Sequence, residues 1–144
     1  MDTLIVELGT SCSTAQWSSV TPIESTNQWQ REAQQAIARL ARLPVNWDGY
    51  GSPPIKQPAI ECAADLVTLF AKFSIMPRPQ IFPVSGGGLQ LEFRRVNREL
   101  ELEVMPDGSI EYLTVNEIGY MREGSITSSD AKEVVILAHW LQGK

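Results

Sequence analysis

The stretch that decides the fold is Leu89-Gln90-Leu91-Glu92-Phe93-Arg94, then Glu99-Leu100-Glu101-Leu102-Glu103-Val104, then Ser109-Ile110-Glu111-Tyr112-Leu113. Apolar and polar residues alternate strictly in each run, the mark of a strand with one buried face. The breaks between the runs set how they pair. A two-residue turn at Val96-Asn97 places Phe93 opposite Leu100 and Leu91 opposite Leu102. A three-residue Pro106-Asp107-Gly108 loop, with Gly108 at the left-handed position, places Val104 opposite Ile110 and Leu102 opposite Tyr112. Both choices keep the apolar residues on one side, and a one-residue slip would scatter them over both.

The outer face follows from the same register. Glu92 faces Glu101, Arg94 faces Glu99, Gln90 faces Glu103, and Glu103 faces Glu111. Like charges directly opposite on neighbouring strands cost a sheet some tenths of a kcal/mol per pair, in order of magnitude. One account of such a face is a basic partner that relieves the repulsion and is steered to the site. Others are a divalent cation, which prefers carboxylate oxygens, or a pair of acid/base carboxylates. The plainest is a solvated surface screened by salt and by Arg94, Arg95 and Arg98.

Working towards the N-terminus, Ser85-Gly86-Gly87-Gly88 reads as a flexible hairpin turn, not a phosphate loop, because it joins two extended segments rather than opening a helix. The proline-rich Met76–Val84 segment leads into a short edge strand, the only kind of strand in which proline is tolerated. A helix is predicted from about Pro58 to Phe73, with Ile60, Ala63, Ala64, Val67, Phe70 and Ala71 as its buried stripe. An earlier helix, from about Thr26 to Leu43, carries Trp29, Ala33, Ala36, Ile37 and Leu40, is capped by Ser25 or Thr26, and stops at Pro44. Residues 1–24 read as an irregular N-terminal arm. Leu4–Leu8 offer a short strand there, and Trp17 a packing anchor. Beyond Thr114 a fourth meander strand is expected round Ile118-Gly119-Tyr120-Met121. A last helix follows from about Ser129 to Leu141, capped by Ser129 or Asp130, with Val134, Leu137, Ala138 and Leu141 facing inward.

The predicted architecture is therefore α+β. Two N-terminal helices precede an antiparallel meander of three to four strands, and a C-terminal helix joins them on the apolar face. Residues 25–144 form one such domain, in keeping with a chain of 144 residues.

Composition limits the function classes. Seventeen acidic against twelve basic residues give a formal charge of −5, which argues against direct binding to nucleic acid or anionic membranes. No apolar run approaches the ~20 residues that span a bilayer, and the N-terminus has no signal-peptide pattern, so a cytoplasmic location is expected. Cys12 and Cys62 are too far apart for a metal-binding spacing, and a buried free thiol is expected at Cys62. The one histidine, His139, lies beside Trp140 and reads as a surface or partly packed residue. No P-loop, GxSxG or CxxC pattern occurs, so no catalytic residue, metal ligand or cofactor is assigned.

The loop Pro44-Val45-Asn46-Trp47-Asp48-Gly49-Tyr50-Gly51-Ser52-Pro53-Pro54 is unusual in carrying two large aromatics. As a clasp, Asp48 bonds backbone N–H groups of its own turn while Trp47 and Tyr50 close one end of the core. As a recognition loop, the same aromatics anchor a partner.

Asn46-Trp47-Asp48-Gly49-Tyr50-Gly51, Gly87-Gly88-Leu89-Gln90-Leu91-Glu92-Phe93, the acidic Leu100–Val104 run and the Pro106-Asp107-Gly108 turn, in this order, resemble a family of small uncharacterised bacterial proteins. Its pattern reads W-D-G-Y-G-A, then G-G-(I/L)-Q-L-E-W, then an acidic strand and a D-G turn. The resemblance covers about Leu43 to Leu113, with Ser52 in place of alanine and Phe93 in place of tryptophan. It implies a bacterial or phage origin and no particular activity, and it draws attention to Trp47, Asp48, Tyr50, Gln90 and Glu92.

The function expected from these readings is non-catalytic binding of a protein partner, basic in character. Trp47, Asp48, Tyr50, Gln90, Glu92, Glu101, Glu103 and Glu111 are the candidate contacts, and an antitoxin-like or inhibitor-like role fits by analogy only. The alternatives are a metal-dependent or carboxylate-based enzyme using Asp48 with the sheet glutamates, and a structural protein that self-associates through an edge strand or exposed aromatics.

Overall fold

Where the sequence alternates, the chain forms strands. A computed structural model describes residues 28–73, 75–126 and 131–143. The expected arm over 1–24 and the caps at Ser25, Thr26, Ser129 and Asp130 lie outside the described residues. Five strands, β1 (Gln80–Val84), β2 (Gly88–Arg94), β3 (Glu99–Val104), β4 (Ile110–Val115) and β5 (Met121–Ile126), form one antiparallel sheet in the order β1-β2-β3-β4-β5. Three described helices accompany it: α1 (Gln28–Leu40), α2 (Gln57–Phe70) and α3 (Ala131–Leu141). The class is α+β.

The central register is the one the turns dictate. Arg95 and Arg98 exchange backbone hydrogen bonds of 2.8 and 3.4 Å round the Val96-Asn97 turn. Phe93 then faces Leu100, Leu91 faces Leu102, Glu92 faces Glu101 and Gln90 faces Glu103. In the next turn Gly108 has φ +91°, and the Met105 N–H donates to the Ser109 carbonyl at 2.8 Å. The Asp107 carboxylate accepts from the Ser109 N–H and hydroxyl at 2.9 and 2.7 Å. That loop seats Val104 opposite Ile110, Leu102 opposite Tyr112, and Glu103 opposite Glu111.

The inner face of the sheet is the floor of the core. Leu89, Leu91, Phe93, Leu100, Leu102 and Val104 are buried in one cluster with Ala33 and Ile37 of α1, Leu66, Val67 and Phe70 of α2, and Val134, Leu137, Ala138 and Leu141 of α3. Phe70 stacks on Phe93 with ring centroids 4.7 Å apart. Burying each Leu or Phe in this way stabilises the fold by about 1.5–3 kcal/mol relative to exposure.

Three features depart from expectation. The sheet has five strands rather than three to four, and the last runs over Met121–Ile126 instead of centring on Ile118-Gly119-Tyr120. The reason is Asn116. Its side-chain Oδ1 accepts from the N–H groups of Ile118 and Tyr120 at 3.1 and 2.9 Å, which makes that apolar run the turn. Ile118 and Tyr120 are accordingly exposed. Second, the buried face of α2 differs from the expected stripe: Ala63, Val67 and Phe70 are buried as expected, Ile60, Ala64 and Ala71 are only half-buried, and Ala59, Cys62, Leu66 and Leu69 are fully enclosed instead. Third, Cys62 is not a free thiol. It is disulfide-bonded, and its partner lies outside the described residues. Among the described residues no helix is long and apolar enough to cross a membrane.

Candidate functional site: the acidic face and the Asp48 loop

The described helices pack on one side of the sheet, and none of them covers the other. Alternation puts six glutamates on that open face, Glu92, Glu99, Glu101, Glu103, Glu111 and Glu123, against the single Arg94. They form two cross-strand rows. One runs Glu92, Glu101, Leu113, Glu123, and the other Gln90, Glu103, Glu111, Ser125. Where the rows cross β3 to β5 they frame a shallow depression of about 490 Å³, lined chiefly by Gln90, Glu101, Glu103, Glu111, Leu113 and Glu123.

The charge on this face is poorly compensated from within. Gln90 Nε2 donates to Glu92 Oε2 at 2.7 Å, while Arg94 comes no nearer Glu92 than 3.9 Å. Screening by Arg95 and Arg98, expected from their position in the turn, does not occur. Arg95 donates to the Gln142 carbonyl at 3.1 Å. Arg98 donates to the Trp140 carbonyl, lies 5.1 Å from the centre of the Trp140 ring, and pairs with Glu117 at 3.3 Å. Both are held at the C-terminal end of α3, where exposed carbonyls and the helix dipole favour cations. Glu101, in the middle of the face, has its carboxyl raised above the ordinary range, first by partial burial, then by Glu92 and Glu99, with Arg94 opposing.

The Trp47–Tyr50 loop is a separate structure at the β1–β2 end of the sheet. Asp48 is its hub. Its Oδ1 accepts from the N–H groups of Tyr50 and Ser52 at 2.9 and 3.2 Å. Its Oδ2 accepts from the hydroxyls of Ser52 and Ser85 at 2.5 and 2.7 Å. These bonds, the Ser52 hydroxyl foremost, hold the Asp48 carboxyl well below the usual carboxylate range. Trp47 donates its indole N–H to the Pro53 carbonyl at 3.1 Å. Tyr50 does not help close the core: it is 93% exposed, between Gly49 and Gly51, both at positive φ.

The candidate residues therefore fall into two groups. Gln90, Glu92, Glu101, Glu103 and Glu111 share the open face, and Trp47, Asp48 and Tyr50 belong to the clasp. Asp48 is occupied by its own loop and the β1–β2 turn, and it does not line the depression. His139 meets Phe73 edge-on at 5.2 Å, on the helix side of the molecule. Among the described residues no group of three or more His, Cys, Asp or Glu is arranged to hold a metal ion. Sequence reasoning missed Glu123 and Ser125 as parts of the face. Locating Asn116 as the turn that launches β5 would have found them. It also missed Ser85, whose bond to Asp48 spans 37 positions.

Comparison with protein-family models, with curated proteins and with solved structures finds no match to the chain.

Proposed function

We propose that this chain is a non-catalytic binding protein that holds a basic segment of a partner protein against the open face of its sheet. The carrying observation is the six-to-one excess of glutamate over arginine on a face that no described helix covers, with Arg95 and Arg98 engaged elsewhere. Lysine or arginine from a partner would relieve the repulsion at Glu101 and among its neighbours. The apolar surface of Leu113 between Glu101 and Glu123 gives the methylene stems of such side chains a place to lie. An antitoxin-like or inhibitor-like role remains the analogy that suits this chemistry. Kinship with the bacterial family that the W-D-G-Y-G and G-G-L-Q-L-E motifs resemble is part of the same proposal.

The test is a combined Glu92→Lys, Glu101→Lys, Glu103→Lys variant. It should fold, since the three changes lie on the outer face of the sheet: Glu103→Lys turns the like-charge pair with Glu111 into an attractive one, and the Glu92–Glu101 pair only exchanges one like-charge pair for another. It should lose capture of the partner that the wild-type protein co-purifies from its host, and wild-type capture should weaken steeply with salt. Capture that survives both the variant and high salt sinks the proposal.

A further inference from the structure

The edge strand β5 gives the proposed binding a definite geometry. The Asn116 N–H donates to the Tyr120 carbonyl at 3.0 Å, so Asn116 and Tyr120 are a hydrogen-bonded pair at the start of the β4–β5 ladder. In an antiparallel ladder such pairs recur at every second residue. Thr114 with Arg122, Tyr112 with Gly124, and Ile110 with Ile126 are then the bonded pairs that follow. The backbone N–H and C=O groups of Met121, Glu123 and Ser125 point the other way, to the free side of the sheet. No described strand pairs there, and Met121, Glu123 and Ser125 are all exposed.

Natural edges are normally blunted by proline, lysine or a covering element. The opposite edge follows that habit, since β1 carries Pro83 and has α1 packed beside it. β5 carries neither proline nor lysine; of its two charged residues, Glu123 lies on the acidic face, where it favours a basic occupant, and Arg122 on the other.

We propose that β5 is where the partner docks, by adding an extended segment as a sixth antiparallel strand. This inference rests on the acidic-face reading and specifies its mode. The side chains of Met121, Glu123 and Ser125 lie on the outer face with the glutamates. Residues of the added strand that bond to them would project onto that same face. Basic side chains at alternate positions would then lie beside Glu123 and reach towards Glu111 and the depression, while backbone hydrogen bonds supply the rest of the affinity. The occupant is a basic segment and not a second copy of this chain. A copy paired in the same sense would bring its own acidic face alongside the first and double the repulsion.

The probe is a capped seven-residue peptide of alternating lysine and valine. Its control is the same peptide N-methylated at the lysine amides, which keeps every charge but cannot donate to β5. Wild-type protein should bind the first peptide and slow amide exchange at Met121, Glu123 and Ser125. The methylated peptide should bind at least about tenfold more weakly, the scale set by losing one or two net hydrogen bonds. Ser125→Pro, which retains every glutamate and removes an N–H facing the free side, should weaken the first peptide similarly. Equal binding of both peptides, with exchange at the three amides unchanged, overturns the strand-addition inference and leaves the acidic-face reading standing. Failure of both peptides to bind wild-type protein at millimolar concentration, or binding of the unmethylated peptide unaffected by the triple lysine variant, overturns both.

Discussion

Asp65 should make the protein less stable as pH rises from mildly acidic to mildly alkaline, and replacing it by asparagine should remove that loss. The residue is on α2 and only 1% exposed, and its Oδ2 has no hydrogen-bond partner among the described residues. Burial, reinforced by Glu61, pushes its carboxyl up to about 8. Below pH 4 the folded and unfolded chains both hold the proton, so the group has no effect. Between about pH 4 and pH 8 the unfolded chain releases it and the folded chain keeps it. Folding stability then falls by up to 1.36 kcal/mol per pH unit, as an approximate limit. Above pH 8 both forms are ionised and the loss levels off.

Four pH units set a ceiling of about 5–6 kcal/mol. Relaxation and water penetration round a buried charge reduce this, so an effect of roughly 2–3 kcal/mol is expected. Asp65→Asn copies the protonated shape without the titration. Urea unfolding of both proteins at pH 4.5, 7 and 9 provides the assay. The variant should match wild type within about 1 kcal/mol at pH 4.5, where the two differ only in one hydrogen-bonding group, and exceed it by roughly 2–3 kcal/mol at pH 9. Parallel stability curves for the two proteins across that range would refute the reasoning. So would a variant that falls further behind as pH rises.

Four other outcomes are expected. A Cβ added at Gly124 would sit 2.5 Å from Tyr112 Cζ and Oη, so Gly124→Ala should cost about 1–3 kcal/mol in urea unfolding, and pairing it with Tyr112→Ala should cancel most of the clash. Asp48→Ala removes the acceptor for four hydrogen bonds, so amide exchange at Tyr50 and Ser52 should speed up and Trp47 fluorescence should change. In wild type the same clasp should stay closed from neutral pH well down into acid, because the depressed Asp48 carboxyl loses its stabilising charge only when pH falls through its lowered value. Urea-denatured protein kept from reductant should react with no thiol reagent, whereas a free thiol in that assay would contradict the disulfide state of Cys62.

The central sheet was legible because two independent signals agree there. Alternation names the buried face of β2, β3 and β4, and the two turns fix the offsets between them, so cross-strand partners such as Glu92 and Glu101 follow by arithmetic. β5 carries a weaker signal. Ile126 is its one buried residue, and the apolar run just before it belongs to the Asn116 turn, so hydrophobicity points to the wrong segment. Of the candidate face, the half on β2 and β3 could be read from sequence and the half on β5 could not. The fate of the arginines was equally hidden. Nothing in the order Arg94-Arg95-Val96-Asn97-Arg98 says that two of the three reach a helix end more than forty residues on. Asp65 gives no local signal at all, since a lone acid in a helical stretch is normally solvated.

The order of the strands has one more consequence. Each strand of the sheet lies beside its neighbour in sequence, without a crossover. Every pairing therefore closes only a short loop, and the entropy lost before each contact forms is small. The sheet can grow outward from the central β2–β3 hairpin one hairpin at a time, which favours rapid folding for a structure with this much β content. The same order means that unzipping can begin at the rim. With only one neighbour among the described strands and little buried surface, β5 has the least to lose by opening, so the strand proposed to receive another chain should also be the first that solvent exchange finds detached.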